Sequence, residues 1–256
     1  MENVLALADI GSAWLVMALV VFLRIGTAIL FLPGFGERSV PQRVRLALAV
    51  AFTIIVTPTV GVTGGAELPL SLVPVLAAET LVGAVLGLSI RMMIFILQIA
   101  GSIAAQSTSL AQIFGGASTE PLPAFGHVLV VAGLALAMLA GLHIRLTEAF
   151  IGSYQWFPVG AGFRSADLAE FWTAKVSGAF SLAFTFSAPF VVAAFIYNLA
   201  LGAINRAMPQ LMVVLVGAPA ITATGLAMLA ILSPLMLELW RDALDAVLAA
   251  PLRATL

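Results

Sequence analysis

The sequence predicts an all-α, polytopic membrane protein of six to seven apolar helices arranged as hairpins. Three observations carry this. Of 256 residues, 62% are hydrophobic and 9% charged, against about 25% charged in an average soluble domain. The 11 basic and 12 acidic side chains cannot clothe a soluble surface, so the chain belongs in a bilayer, alone or within a larger apolar assembly. The apolar tracts are mostly long enough to cross a membrane and are separated by Gly and Pro breaks. The last two tracts flank a short polar run, Asn198 to Gln210, with two Asn, one Arg, one Gln and Pro209, which marks a hairpin with a defined polar tip.

Taken in order, the first span is predicted at 10–32, interrupted only by Arg24 and ended by Pro33-Gly34-Phe35-Gly36. The loop 37–45 carries Arg38, Arg43 and Arg45. A second, short span covers 46–60, closed by Pro58 and Gly61, and the Gly- and Pro-containing stretch 63–69 follows. Residues 70–114 form one apolar tract with Glu79 and Arg91 as its only charges. At 1.5 Å per residue this would be about 67 Å long as a single helix, twice a bilayer. It is therefore either two helices with a tight joint at Arg91 or one helix that projects beyond the lipid. Residues 115–126 hold three Gly and two Pro and predict a loop. A helix is expected over 127–150. The polar region 152–175, with Tyr154, Trp156 and Trp172, suits a membrane interface. The terminal hairpin is expected at 176–203 and 211–239, with Pro189 and Pro219 breaking its helices.

Lys and Arg counting favours seven crossings, with 70–114 crossing twice, over six. Either count places the arginine-rich loop in the cytoplasm and the acidic N-terminus outside. Met1-Glu2-Asn3 lacks the basic start of a cleavable signal peptide, so the first span is expected to stay in the mature protein.

Few residues offer chemistry. A charge at the bilayer centre costs at least about 2.5–3.5 kcal/mol, so Arg24, Glu79 and Arg91 must face protein or water. They form either an ion relay or a buried pair and snorkelling helix ends; a relay normally needs several carboxylates in series, and Glu79 stands alone. Gly83 and Gly87 have the spacing that lets helices approach closely in lipid. The loop 115–126, with Gln106, Gln112 and Phe114 before it and Gly115, Gly116, Glu120 and Pro121 within it, reads as a gate or as a plain connector. Met92, Met93, Met208 and Met212 could line a deformable constriction, though core or lipid contact explains them as well. Net charge is −1, with no basic surface for nucleic acid. Without cysteine, and with His127 and His143 lacking a nearby carboxylate pair, disulfides, thiolate chemistry and a strong metal site are not expected. No phosphate-binding loop, dinucleotide turn, nucleophile elbow or HExxH motif is present. The sequence predicts neither an enzyme nor a cofactor.

The wording of the segments resembles the FliR family of flagellar export-gate membrane proteins, shared with injectisomes as the SctT proteins. The resemblance runs from Phe22-Leu-Arg24-Ile-Gly26 and Leu32-Pro33-Gly34-Phe35-Gly36 through Val40-Pro41-Gln42-Arg43-Val44-Arg45. It continues with Glu79-x-x-x-Gly83-x-x-x-Gly87, Gly101 to Gln106, Gly141-Leu-His143, Ser153 and Pro158. Its strongest block is Asn198-Leu-Ala-Leu-Gly202-x-x-Asn205-Arg206-Ala-Met-Pro209-Gln210, followed by Gly217 and Pro219. The chain departs after Gln106, where relatives carry more glycine, and Glu120-Pro121 stands where they have Asp-Pro.

The resemblance implies a structural, pore-forming subunit of the type III export gate in the bacterial inner membrane and flagellar basal body. Residues 10–150 would be similar to FliP and 176–239 to FliQ. FliP-like and FliQ-like subunits, FlhB-like and FlhA-like components, unfolded exported proteins and membrane lipid would be its partners. Arg24, Glu79, Gly83, Gly87, Asn198, Asn205, Arg206, Pro209 and Gln210 would make inter-subunit contacts, and the 106–121 segment would plug the closed pore. In such an assembly the helices need not each cross the bilayer, which would account for the overlong 70–114 tract. The equivalent subunit of a virulence injectisome is the nearest alternative. A small-solute secondary transporter is a further one, but the matched broken helices of inverted repeats are missing from the first half. A membrane-embedded enzyme would need a paired carboxylate or His cluster within a span.

Overall fold

Arg91 does not interrupt its helix. In a computed structural model, which describes residues 2–37, 39–63, 72–108, 124–208 and 213–253, α3 runs unbroken over Leu72–Thr108. No Gly or Pro turn lies near Arg91, and its charge is met without a joint. Nη1 donates to the Phe31 carbonyl at 3.3 Å and Nη2 lies 3.8 Å from the Glu37 carboxylate. The 37 residues of α3 extend about 55 Å at 1.5 Å per residue, well beyond the hydrocarbon core. The two-helix reading of this tract falls, and the seven-crossing count falls with it. Among the described residues five helices are long and apolar enough to cross a membrane, or six if a bent pair forms one span.

The other helices are α1 (Glu2–Phe31), α2 (Gln42–Thr63), α4 (Ala124–Leu139), α5 (Leu142–Trp156), α6 (Ser165–Ala207) and α7 (Val213–Ala249). The single helix expected over 127–150 is instead the bent pair α4 and α5. Gly141 adopts φ +84°, a left-handed conformation that its missing Cβ permits, and its N–H closes a turn onto the Met138 carbonyl at 3.1 Å. One glycine in an apolar run is a weak signal, which is why the break was not expected. Much of the polar stretch 152–175 is helical: α5 continues to Trp156 and α6 starts at Ser165, with Asp167 in its first turn where the helix dipole favours an acid. Pro58, Pro189, Pro219 and Pro234 all lie inside helices. Each forfeits one backbone hydrogen bond, which membrane helices tolerate, so proline overstated the number of breaks.

The chain divides into two compact units, one of residues 1–92, 138–176 and 243–256 and the other of 93–137 and 177–242. In the first, Val21, Ile25 and Ala28 of α1, Leu32 just after it, and Val82, Leu86 and Ile90 of α3 are buried, and Phe52 meets the Phe150 ring edge-on at 5.5 Å. In the second, α3 and α4 approach so closely that a Cβ on Gly101 would collide with the Gly126 backbone. Gly133 leaves room for Leu97 and for the Trp240 ring, whose Nε1–H donates to the Met93 carbonyl at 2.7 Å. The outer faces of α6 and α7 stay bare. Only 22% of the α7 span is buried within the chain, against 61% of the α3 span, so α7 presents most of its apolar surface to lipid or another subunit.

Candidate functional site

Arg24 and Glu79, the two most costly charges in the apolar tracts, meet in the first unit. Both are fully buried. The guanidinium grips the carboxylate with two bonds, Nε to Oε2 at 2.6 Å and Nη2 to Oε1 at 3.0 Å. This fork geometry is the strongest form of the pair. Nη1 donates to Ser153 Oγ at 3.1 Å, and Nη2 also donates to the Phe157 carbonyl at 2.9 Å. Ser153 Oγ in turn donates to the Phe150 carbonyl at 2.7 Å. Glu79 Oε1 accepts the Gly160 amide at 2.9 Å, and Gly160 has φ +78° in the turn after α5. The Tyr154 ring covers the Arg24 guanidinium, with Cζ 3.7 Å from its centroid. One ion pair thus joins α1, α3, α5 and the connection to α6.

Gly83 and Gly87 make that pair reachable. A Cβ on Gly83 would collide with the Arg24 carbonyl, and one on Gly87 with the Ala28 backbone. Arg91 then reaches Phe31. The partners advance together by about one turn at each step, so α1 and α3 run parallel and in backbone contact. Arg91 also places a cation at the C-terminal end of α1, where the last carbonyls lack helical partners.

The second unit ends in a different arrangement. Asn198, Gly202 and Arg206 fall at four-residue intervals on one face of α6, and all three are exposed, as is Asn205. A Cβ on Gly202 would meet nothing within 4 Å. Arg206 lies in the last turn of α6 and makes no hydrogen bond or ion pair among the described residues. Phe195, Ile196 and Leu199 beside this face are 68%, 61% and 66% exposed. Pro209, Gln210 and Met212 lie outside the described residues, as do Gln112, Phe114, Gly115, Gly116, Glu120 and Pro121 of the expected gate. Gln106, at the C-terminal end of α3, is exposed, whereas Met93 is buried in the core.

Sequence reasoning found Arg24, Glu79, Gly83 and Gly87 separately but not their mutual geometry. It noted Ser153 and Pro158 only as resemblances, and gave Tyr154 to the membrane interface, where the structure buries its ring. Lys175, expected in a polar loop, is buried on α6 with Nζ 5.7 Å from the Phe171 ring. The local signals were slight: Pro158 and Gly160 mark a turn, but nothing in their spacing ties that turn to α1.

A helical chain with several lengths able to span a membrane and a fully buried ion pair defines a polytopic membrane protein built on close helix packing. The match to the model of bacterial export proteins, family 1, covers residues 15–247, and the chain belongs to that family. It is 31% identical over 231 residues to the Flagellar biosynthetic protein FliR of Caulobacter vibrioides, covering 88% of this chain and 92% of the relative. It is 31% identical over 206 residues to that of Bacillus subtilis, covering 78% and 80%. With that of Escherichia coli the identity is 26% over 234 residues, covering 88% and 87%.

Proposed function

We propose that the protein is a structural subunit of the flagellar protein-export gate in the bacterial inner membrane. It assembles with FliP-like and FliQ-like subunits, beside FlhB-like and FlhA-like components, around a conduit for unfolded exported chains. The observation that carries this reading is the near full-length match to an export family whose similar relatives are named as flagellar biosynthetic proteins. Those names favour a flagellar system over an injectisome. In this reading residues 10–150 form the FliP-like part and 176–239 the FliQ-like hairpin. The open Asn198–Gly202–Arg206 face, with Asn205, Pro209 and Gln210, meets a neighbouring subunit. Arg24, Glu79, Gly83 and Gly87 serve that assembly indirectly, by holding α1 against α3.

The testing experiment is deletion of the gene in its own host, followed by assay of flagellar proteins in the medium. Secretion is expected to stop and to return with the intact gene; unchanged secretion overturns the proposal. FliP-like and FliQ-like chains are expected to co-purify with a tagged copy.

The segment 106–121 is the proposed plug. Removing a few residues from 115–121 is expected to preserve assembly but let small solutes leak across the membrane. A deletion variant that assembles and stays as tight as the parent rejects the plug.

A further inference from the structure

Between α1 and α2 lies a cavity of about 400 Å³ with an apolar body and a cationic mouth. Phe22, Leu30 and Leu46 line its walls, and Gly26 its floor. A Cβ on Gly26 would meet the Phe22 ring in ordinary contact at 3.7 Å and nothing nearer, so this floor is not a tight helix crossing. From Leu30 to Phe22 the cleft follows α1 for about 12 Å at 1.5 Å per residue, room for much of an acyl chain.

Gln42 and Arg45, in the first turn of α2, stand at the mouth. Arg45 is oriented by its own loop: Nε donates to the Val40 carbonyl at 3.0 Å. Its two terminal nitrogens make no hydrogen bond among the described residues. Arg43, two residues before Arg45, is exposed on another face of the helix, and the first turn of α2 holds no acid. Glu37, the acid of this connection, lies 3.8 Å from Arg91. The Val44 and Arg45 amides both donate to the Pro41 carbonyl, which leaves those of Gln42 and Arg43 to add partial positive charge at the start of α2. Leu30 and Leu46 are both more than half exposed, so the cleft opens toward the surroundings of the chain.

A fixed cation, a helix start and an acyl-sized apolar groove thus line up along one hairpin whose two helices are long and apolar enough to cross a membrane. Charge complementarity and the order of the two surfaces select the occupant. We infer that the α1–α2 cleft binds an anionic phospholipid of the surrounding bilayer, its phosphate at Arg45, Gln42 and the α2 amides and an acyl chain between Phe22, Leu30 and Leu46. A bound lipid fixes the depth of the arginine-rich end of α1 and α2 at the headgroups. The proposal needs the cleft to face lipid in the assembled state, and it holds for a flagellar or any other membrane assembly that leaves it so.

The test uses the assembled complex in nanodiscs containing phosphatidylglycerol or phosphatidylcholine with a photoreactive group on an acyl chain. Labelled peptides of α1 and α2 are quantified by mass spectrometry. The phosphatidylglycerol probe is expected to label them about fivefold more than the phosphatidylcholine probe, the preference expected from one well-placed arginine. Arg45→Gln is expected to erase that preference. Gly26→Leu, whose Cβ has ordinary clearance and whose longer side chain adds bulk at the floor, is expected to lower labelling by both probes. Equal labelling by the two probes in the unaltered complex overturns the proposal. So does absence of label because another subunit covers the cleft, and so does competition by millimolar inorganic phosphate, which would make the site one for free anions.

Discussion

Arg24 and Arg206 are both lone arginines in long apolar helices, and the chain treats them in opposite ways. Arg24 is sealed: every terminal nitrogen has an acceptor, an aromatic ring covers its face, and Glu79 neutralises it. Arg206 is exposed on a helix end whose large apolar neighbours are exposed with it. A buried charge whose bonding capacity is used up inside one chain is part of the architecture. An exposed one on an apolar helix still needs water, lipid headgroups or another protein. The comparison separates a charge whose bonds are used up inside the chain from one left open at a helix end, although the sequence presents both as isolated charges.

The largest effect is expected at the sealed site. Glu79→Gln leaves Arg24 buried without its counter-charge, at a cost of about 3–5 kcal/mol. The amount of folded protein in the membrane should drop sharply, measured by quantitative blotting and by thermal melting in detergent. Replacing both partners, Arg24→Met with Glu79→Met, should recover much of the loss, because an apolar pair avoids the desolvation cost of a broken ion pair. Parental stability in Glu79→Gln would remove Arg24 from the architecture.

Next comes the helix contact that brings the pair together. Gly83→Leu must push α1 away from α3, since its Cβ alone collides with the Arg24 carbonyl. A loss of about 1–3 kcal/mol is expected. Gly26→Ala, whose new Cβ has ordinary clearance from Phe22, should change stability by no more than about 0.5 kcal/mol. Equal behaviour of the two variants would mean that the Gly83–Gly87 approach does not support the fold. A loss at the lower end of that range is expected in the second unit: Trp240→Phe removes the indole bond to the Met93 carbonyl and should cost about 1 kcal/mol in the same melting assay.

The sequence announced the helical class, because so few charges spread over such long apolar tracts leave little else. It also marked the right polar residues, since a charge in an apolar tract has few reasons to exist. It could not say which charge meets which. Arg24 and Glu79 are 55 positions apart, and only the parallel packing of α1 on α3 joins them. Helix ends were the least legible part. Proline marked breaks at Pro58 and Pro189 that helical backbone absorbs, while the real break at Gly141 rests on one glycine in a left-handed turn. Polar content misled over 165–175, where α6 is already formed and Lys175 is buried. Lys175 there lies over the Phe171 ring, a contact between neighbouring turns of α6 that composition alone does not reveal.

The most direct test measures two quantities for Arg206→Ala and Glu79→Gln side by side: the amount of inserted protein, and flagellar protein exported per inserted molecule. For Arg206→Ala the account predicts near-parental insertion, with export and recovery of FliP-like and FliQ-like partners reduced about tenfold, the effect of roughly 1.4 kcal/mol at an interface. For Glu79→Gln it predicts the reverse weighting, with insertion lost and export per surviving molecule largely kept. If Arg206→Ala exports and co-purifies like the parent, Arg206 is only a headgroup anchor and the outward role assigned to the α6 end is wrong.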